Sequence, residues 1–320
     1  MNLKKNRAEK LYAWGRKRPF NDFSGFFKTL FENRVQKISI DAGFTCPNRD
    51  GQKGVGGCSF CDNKTFNPTY CLPDNSVTTQ LDQGIGLFKE RYPQQQYLAY
   101  FQAYTNTYSS LEHIQSLYEE ALSHPEVIGL VIGTRPDCIS QELLEYLEQL
   151  SKKYFISLEF GIESTSDKTL KRINRGHDFA TAVKALKMCE SYSFYTGVHM
   201  ILGLPGESEA DLLHHVTNLN KLKFTFLKLH QMQIIRGTRI ELEYKEKKSD
   251  FLQFTAEEYI DLAIRFLEQL NPEIIIERFI SESPKDKLIA PKWGLKNFEI
   301  VSKIESQMLR KETFQGRLFS

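Results

Sequence analysis

Five apolar segments, at 97–101, 127–132, 155–160, 195–201 and 224–229, recur at steps of about 30–40 residues, the length of one strand plus a crossover helix. No other feature of the chain restricts its fold so tightly. Helical stretches fill the intervals, several opened by capping-box patterns: Ser109-x-x-Glu112, Ser208-x-x-Asp211 and Thr255-x-x-Glu258. An earlier β-branched strand at 37–43 raises the βα steps to six, and repeated βα units predict a parallel α/β sheet or barrel. Six steps are too few to close the eight-stranded barrel. The expected architecture is therefore an incomplete parallel (βα)6 barrel, open on one side, with a basic helical segment before it. A last strand at 274–280 and a helical tail from about 295 follow. The chain thus divides into a basic aromatic extension (1–36), the partial barrel (37–250) and a helix–strand–helix extension packing on the barrel (251–320).

The strand at 37–43 runs into a loop carrying Cys46, Cys58 and Cys61 as C-x11-C-x2-C, together with Gly51, Gly54, Gly56 and Gly57. Glycines let a backbone wrap closely around a bulky group, and barrel enzymes place their chemistry in loops after strands. A structural zinc ion takes four closed ligands. A [4Fe–4S] cluster on three thiolates leaves one iron without a protein ligand, which the amino and carboxylate groups of S-adenosylmethionine can chelate. Cys71 follows closely, so on spacing alone Cys46, Cys58, Cys61 and Cys71 also read as a zinc site, and unliganded cysteines are a third reading. Cys138 and Cys189 lie apart and read as small buried apolar residues.

Polar turns end the later strands, at 102–108, 133–137, 161–164, 203–206 and 230–238, where a barrel gathers its site. Within and beside them Arg175 reads as a carboxylate clamp or as a surface base near a helix end. Glu163 reads as a ligand-binding carboxylate or a helix N-terminal partner. His199, mid-strand in an apolar run, reads as a hydrogen-bonded core histidine.

The 41% hydrophobic and 26% charged fractions are those of a soluble globular protein. The sequence lacks an apolar run of membrane-spanning length and a signal-peptide core, and its bunched cysteines do not suggest a secreted disulfide scaffold, so a cytoplasmic protein is expected. The net charge of +2 hides an asymmetry: residues 1–37 carry ten Lys/Arg against three Asp/Glu. There Tyr12, Trp14 and Phe20 interleave with Arg16, Lys17 and Arg18, a pattern suited to stacking on bases and contacting phosphates. Phe23, Phe26, Phe27, Leu30 and Phe31 share one helical face, which is expected to dock on the main body.

The cysteine loop, the strand-end turns and their order resemble the radical S-adenosylmethionine superfamily. The long first cysteine interval is similar to the branch containing the Elongator catalytic subunit. Asp41-Ala-Gly-Phe-Thr-Cys-Pro-Asn-Arg-Asp-Gly51, Gly133-Thr-Arg-Pro-Asp137, Leu158-Glu-Phe-Gly-Ile-Glu-Ser164 and His199-Met-Ile-Leu-Gly-Leu-Pro-Gly-Glu207 resemble the YhcC/YtqA-type proteins, over about residues 20–300. The resemblance implies a [4Fe–4S] cluster on Cys46, Cys58 and Cys61, with Cys71 outside the ligand set. It implies that Tyr104 and Thr105 meet the methionyl amino group, and that Arg175 pairs with the methionyl carboxylate. Thr134, Glu163 and His199 would contact S-adenosylmethionine from their strand ends. Where the superfamily's turn carries glycines, this chain has Gln102-Ala-Tyr104. The implied activity is a 5′-deoxyadenosyl radical, fed by a flavodoxin- or ferredoxin-like electron donor. The implied partner is tRNA, with a carboxymethylaminomethyl group on a wobble uridine taken towards the aminomethyl form. A radical enzyme acting on a small metabolite or a protein is the alternative substrate class, and a zinc-stabilised RNA-binding module is the alternative without catalysis.

Overall fold

In the computed structural model, which describes residues 11–320 apart from 63, 64 and 66, each expected strand joins one parallel sheet. The first ten residues of the basic extension lie outside the described residues. The sheet runs β1 (Val35–Ile40), β2 (Gln96–Phe101), β3 (Val127–Thr134), β4 (Phe155–Glu163), β5 (Tyr195–Leu202) and β6 (Phe226–Gln231), in sequence order. The seventh strand is Ile275–Arg278, here β8, which pairs parallel with β6. The sheet therefore runs one strand further than the six expected, because the strand assigned to the C-terminal extension adds to its edge. It curls into a half-barrel, and β1 and β8 form its two open edges.

Helices α2 (Val77–Lys89), α3 (Leu111–Ser123), α4 (Gln141–Ser151), α6 (Phe179–Cys189) and α7 (Glu209–Leu219) fill the βα intervals, with the short α5 (Asp167–Arg172) before α6. Helices α8 (Arg239–Glu246), α9 (Ala256–Gln269) and α10 (Asn297–Arg310) follow. The capping boxes at Ser208/Asp211 and Thr255/Glu258 form as expected. At α3 the cap is one residue later: Ser110, not Ser109, accepts from the His113 amide. A two-strand antiparallel ladder, β7 (Ile234–Ile235) with β9 (Leu288–Ala290), was not expected from sequence. Among the described residues no helix is long and apolar enough to cross a membrane.

Inside the half-barrel the side chains change character along the strands. On the side facing helix α1 (Phe23–Leu30), Leu98, Val131, Phe155, Phe226 and Ile275 form an apolar cluster with its Phe27. That helix plugs the lower mouth with aromatic rings, Phe27 lying 4.9 Å from Phe155 and Phe23 5.2 Å from Phe226. Of the expected docking face Phe27 is buried and Phe23, Phe26 and Phe31 pack half-buried against the same cluster, whereas Leu30 is exposed. Asp22 caps α1 by accepting from the Gly25 amide at 2.9 Å and pairs with Arg18 at 2.8 Å. Residues 19–22 are held to the edge strand and the C-terminal tail: the Ile276 amide donates to the Asn21 carbonyl, and the Gln315 amide to that of Pro19. The open β8 edge is thereby covered, which removes a surface prone to unwanted strand pairing.

Candidate active site

A cavity of about 310 Å³ occupies the C-terminal end of the half-barrel, above the apolar plug. Cys46, Cys58 and Cys61 all line it. Their loop is pinned by several polar contacts. Asn48 donates through Nδ2 to the Asn174 carbonyl at 2.6 Å, and Asn174 donates back to the Gly57 carbonyl at 2.8 Å. The Arg239 guanidinium donates to the same carbonyl. Lys53 reaches across to Asp137, 2.7 Å away at the end of β3. Gly54 has no room for a side chain, because a Cβ would lie 2.3 Å from Asn48 Oδ1.

Arg175 is buried, not the surface base that sequence alone left open. Its Nη1 donates to Cys58 Sγ at 3.5 Å and its Nη2 to the Gly161 carbonyl at 2.5 Å, with the Glu163 carboxylate 3.8 Å away. Gly161 is required there, since a Cβ would come within 2.5 Å of Glu163 and 2.9 Å of Arg175. Burial pushes the Glu163 carboxyl upwards against the pull of Arg175 and Arg135. Burial, then the Cys58 thiol beside it, pushes the Cys61 thiol up to about 12. A thiol so placed ionises readily only when a cation takes it.

The remaining expected residues line the same cavity: Tyr104, Thr105, Thr134, Glu163 and His199, from the ends of β2, β3, β4 and β5. Tyr104 takes φ 60°, the left-handed region that glycine normally supplies, so the Gln102-Ala-Tyr104 turn keeps a glycine-like backbone despite its bulk. The Arg49 guanidinium stands 5.5 Å from its ring. Thr134 Oγ1 hydrogen-bonds Thr107 Oγ1 at 2.5 Å. The 203–206 turn is the exception: it lies outside the cavity lining, and the Gly206 amide bonds the Asp250 carbonyl.

His199 bonds Glu159 at 2.9 Å, part of a buried network that sequence reading missed. Lys37 pairs with Glu159 and Glu277, and Lys228 with the same two carboxylates. The signal was visible in charged residues breaking the apolar runs 155–160 and 224–229. Burial drives the Glu159 carboxyl up, but the ammonium groups of Lys228 and Lys37 hold it well below the usual carboxylate range. Burial, then Lys228, lowers His199 to about 4, so its ring is neutral at neutral pH.

The donor set fits an iron–sulfur cluster better than a single ion. Among the described residues no three His, Cys, Asp or Glu side chains converge as the shell of one metal. Three thiols spread around a common cavity are what a cluster needs, each binding a different iron. Cys71, the fourth zinc ligand on spacing, is buried with its Sγ donating to the Ser39 carbonyl at 3.0 Å, outside the cavity lining. Cys138 is only partly buried, unlike Cys189, which sits in the core as expected. Beside the cysteines the cavity wall holds buried polar atoms with no hydrogen-bond partner among the described residues, Thr105 Oγ1 and Arg175 Nε. Such atoms fit a polar ligand that supplies the missing bonds. In the basic segment Arg16 bonds Asn21 at 2.5 Å, Arg18 pairs with Asp22 and with Glu305 at 3.0 Å, and Lys17 is exposed.

Comparison with known proteins agrees with this geometry. The family model described as the radical SAM superfamily matches residues 46–219, and that of the radical SAM C-terminal domain matches 224–310. Protein YhcC of Escherichia coli (strain K12) is 33% identical over 274 residues, 85% of this chain and 87% of that protein. A tRNA uridine(34) acetyltransferase of Methanocaldococcus infernus is 26% identical over 167 residues, 51% of this chain but 30% of that protein. The structure of archaeal M. infernus Elp3 with an N-terminal deletion superposes with a TM-score of 0.67 at 15% identity, over 88% of this chain; the chain spans 64% of that one. That likeness speaks for the fold. With a family model covering more than half of its length and three thiols around one cavity, the chain belongs to the radical SAM superfamily, whose enzymes bind a [4Fe–4S] cluster and S-adenosylmethionine.

Proposed function

We propose that this enzyme modifies the side chain at C5 of a tRNA wobble uridine, in the cytoplasm, taking a carboxymethylaminomethyl group towards the aminomethyl form. The relative named as a tRNA uridine(34) acetyltransferase, similar to half of this chain, is the observation that carries this reading. In it Cys46, Cys58 and Cys61 hold the cluster. The Arg175 guanidinium takes the methionyl carboxylate, and Tyr104 and Thr105 take the methionyl amino group. Thr134, Glu163 and His199 hold the rest of that cofactor against the ends of β3, β4 and β5. Bound there, the cluster and S-adenosylmethionine would supply 5′-deoxyadenosyl radical chemistry for hydrogen abstraction, with electrons from a flavodoxin- or ferredoxin-like donor. The protein's share is to hold the reacting carbon close and to keep water out, which the apolar plug beneath the cavity assists.

The test is mass spectrometry of tRNA nucleosides from cells lacking the protein, where a wobble uridine precursor should accumulate. Unchanged wobble uridines, together with S-adenosylmethionine consumption indifferent to added tRNA, would leave a small metabolite or a protein as substrate. The cluster assignment has its own check. Anaerobically reconstituted protein should lose its iron when Cys46, Cys58 or Cys61 is replaced by Ala and keep it in Cys71→Ala. Iron lost from Cys71→Ala would refute the ligand set.

A further inference from the structure

Two functional groups in the cavity lining, on the β6 and β8 side of the sheet, have no side-chain hydrogen bond or ion pair among the described residues. Arg278, at the end of β8, and His230, near the end of β6, both line it. Below the cavity the interior charges pair with one another, with Lys37 and Lys228 facing Glu159 and Glu277. The Arg278 guanidinium has neither a hydrogen bond nor an ion pair among the described residues. Its strand neighbour Lys228, directly opposite it in register, is by contrast fully paired. Arginines that hold this fold together look different: Arg135 bonds both Asp137 oxygens and the Arg175 carbonyl, and Arg172 bonds Glu243 and Asp250. Burial, then the Arg278 charge, pushes the His230 imidazole well below its ordinary value, and His199 is neutral too. The β6–β8 side of the cavity lining therefore holds a guanidinium without an ion pair among the described residues, beside a neutral ring. The His199 and His230 rings stand 5.9 Å apart, so the two groups adjoin the wall assigned above to S-adenosylmethionine.

We propose that Arg278, with His230 beside it, seats an anionic group of the substrate, a carboxylate or a phosphate, on the β6–β8 side of the cavity. A guanidinium offers a planar fork of donors matched to either anion, and a partly enclosed site strengthens the contact. The proposal deepens the function argued above and rests on it in one respect, that the cavity takes the substrate. A carboxymethylaminomethyl side chain brings a carboxylate, and an RNA backbone brings phosphates.

The experiment uses anaerobically reconstituted protein saturated with S-adenosylmethionine, so that Arg175 is already engaged. Thermal unfolding is followed with sodium acetate, inorganic phosphate or chloride at equal ionic strength, for wild type, Arg278→Gln, Arg278→Lys and His230→Gln. Acetate, phosphate or both should raise the wild-type Tm beyond chloride. The apparent affinity should fall by at least about tenfold in Arg278→Gln, less in Arg278→Lys and less again in His230→Gln. Without anions Arg278→Gln should melt no lower than wild type, because no internal bond is lost. A response to acetate alone assigns a substrate carboxylate, and one to phosphate alone assigns a phosphate. Equal responses in wild type and Arg278→Gln, no response in wild type, or an anion-free Tm several degrees lower in the variant would each overturn the proposal. Because the readout uses small anions, unchanged tRNA nucleosides in deletion cells would remove the tRNA reading and leave this one standing.

Discussion

Arg175 shows how much one residue's surroundings decide. Sequence left it between a ligand clamp and a surface base; burial against Cys58 Sγ and the Gly161 carbonyl removes the second reading. A charge-assisted hydrogen bond contributes roughly 1.5–3 kcal/mol, so Arg175→Ala should weaken S-adenosylmethionine binding by about one to two decades, measured by equilibrium dialysis. Iron content should survive, since Cys58 keeps its thiol; unaltered affinity would return Arg175 to a structural role. His199 carries a second residue-scale prediction. Its folded value of about 4 lies below the 6.5 of a free imidazole, so the unfolded chain binds the proton first. Stability must then fall as pH drops from about 6.5 towards 4, by up to about 3 kcal/mol from this group. His177, lowered to about 3 by burial and then by Arg175, acts in the same direction. Urea unfolding of ligand-free His199→Asn at about pH 7 and about pH 4.5 should show a smaller loss than wild type. Parallel losses would mean that the ring is not neutral in the folded protein.

At the scale of elements, α1 and the segment before it were read as two things at once, an apolar docking face and a basic RNA grip. The helix is the docking face, its rings filling the lower mouth of the half-barrel. The two arginines of the grip are committed to the fold, Arg18 to Asp22 and Glu305 and Arg16 to Asn21. Partly exposed pairs contribute roughly 0.2–1 kcal/mol each, so Arg18→Glu should cost about 1–2 kcal/mol through the α1 cap. Charge reversal there thus confounds binding with stability. Lys17 is exposed but also engaged in the fold, so Lys17→Glu should weaken tRNA binding and flatten its salt dependence by more than any fall in its unfolding midpoint accounts for. A tRNA affinity indifferent to Lys17→Glu would take residues 16–18 out of the RNA surface.

Across the whole molecule, the interior network joins strands from one open edge to the other. Lys37 of β1 bonds Glu277 of β8, and both Lys37 and Lys228 bond Glu159 of β4. The Lys37–Glu277 pair spans the gap between the two sheet edges that further strands would close in a full barrel. Lys228→Met leaves Glu159 buried with one cation fewer, and breaking a buried pair costs about 3–5 kcal/mol, an upper bound while Lys37 remains. Adding Glu159→Leu should recover part of that loss in denaturant titrations, because the unpaired charge goes with it. A double variant less stable than Lys228→Met would show that the charges act independently.

How much of this was legible in advance differs by the range of the interactions involved. The strands were legible from local apolar runs, because a parallel strand buried on both faces must be apolar along its length. The three cysteines were legible because their loop is local in sequence. What needed the tertiary structure was everything set by distant pairing. Ile275–Arg278 reads as an isolated strand until its register on β6 makes it the seventh of the sheet. Lys37, Glu159, Lys228 and Glu277 stand far apart in the chain and look like interruptions, yet curling the sheet brings them within hydrogen-bond reach. The same curl leaves Arg278 lining the cavity with no ion pair among the described residues, a property that no stretch of sequence contains. Local chemistry follows from which residues are neighbours in the chain, whereas charge balance inside a barrel depends on which strands the fold places side by side.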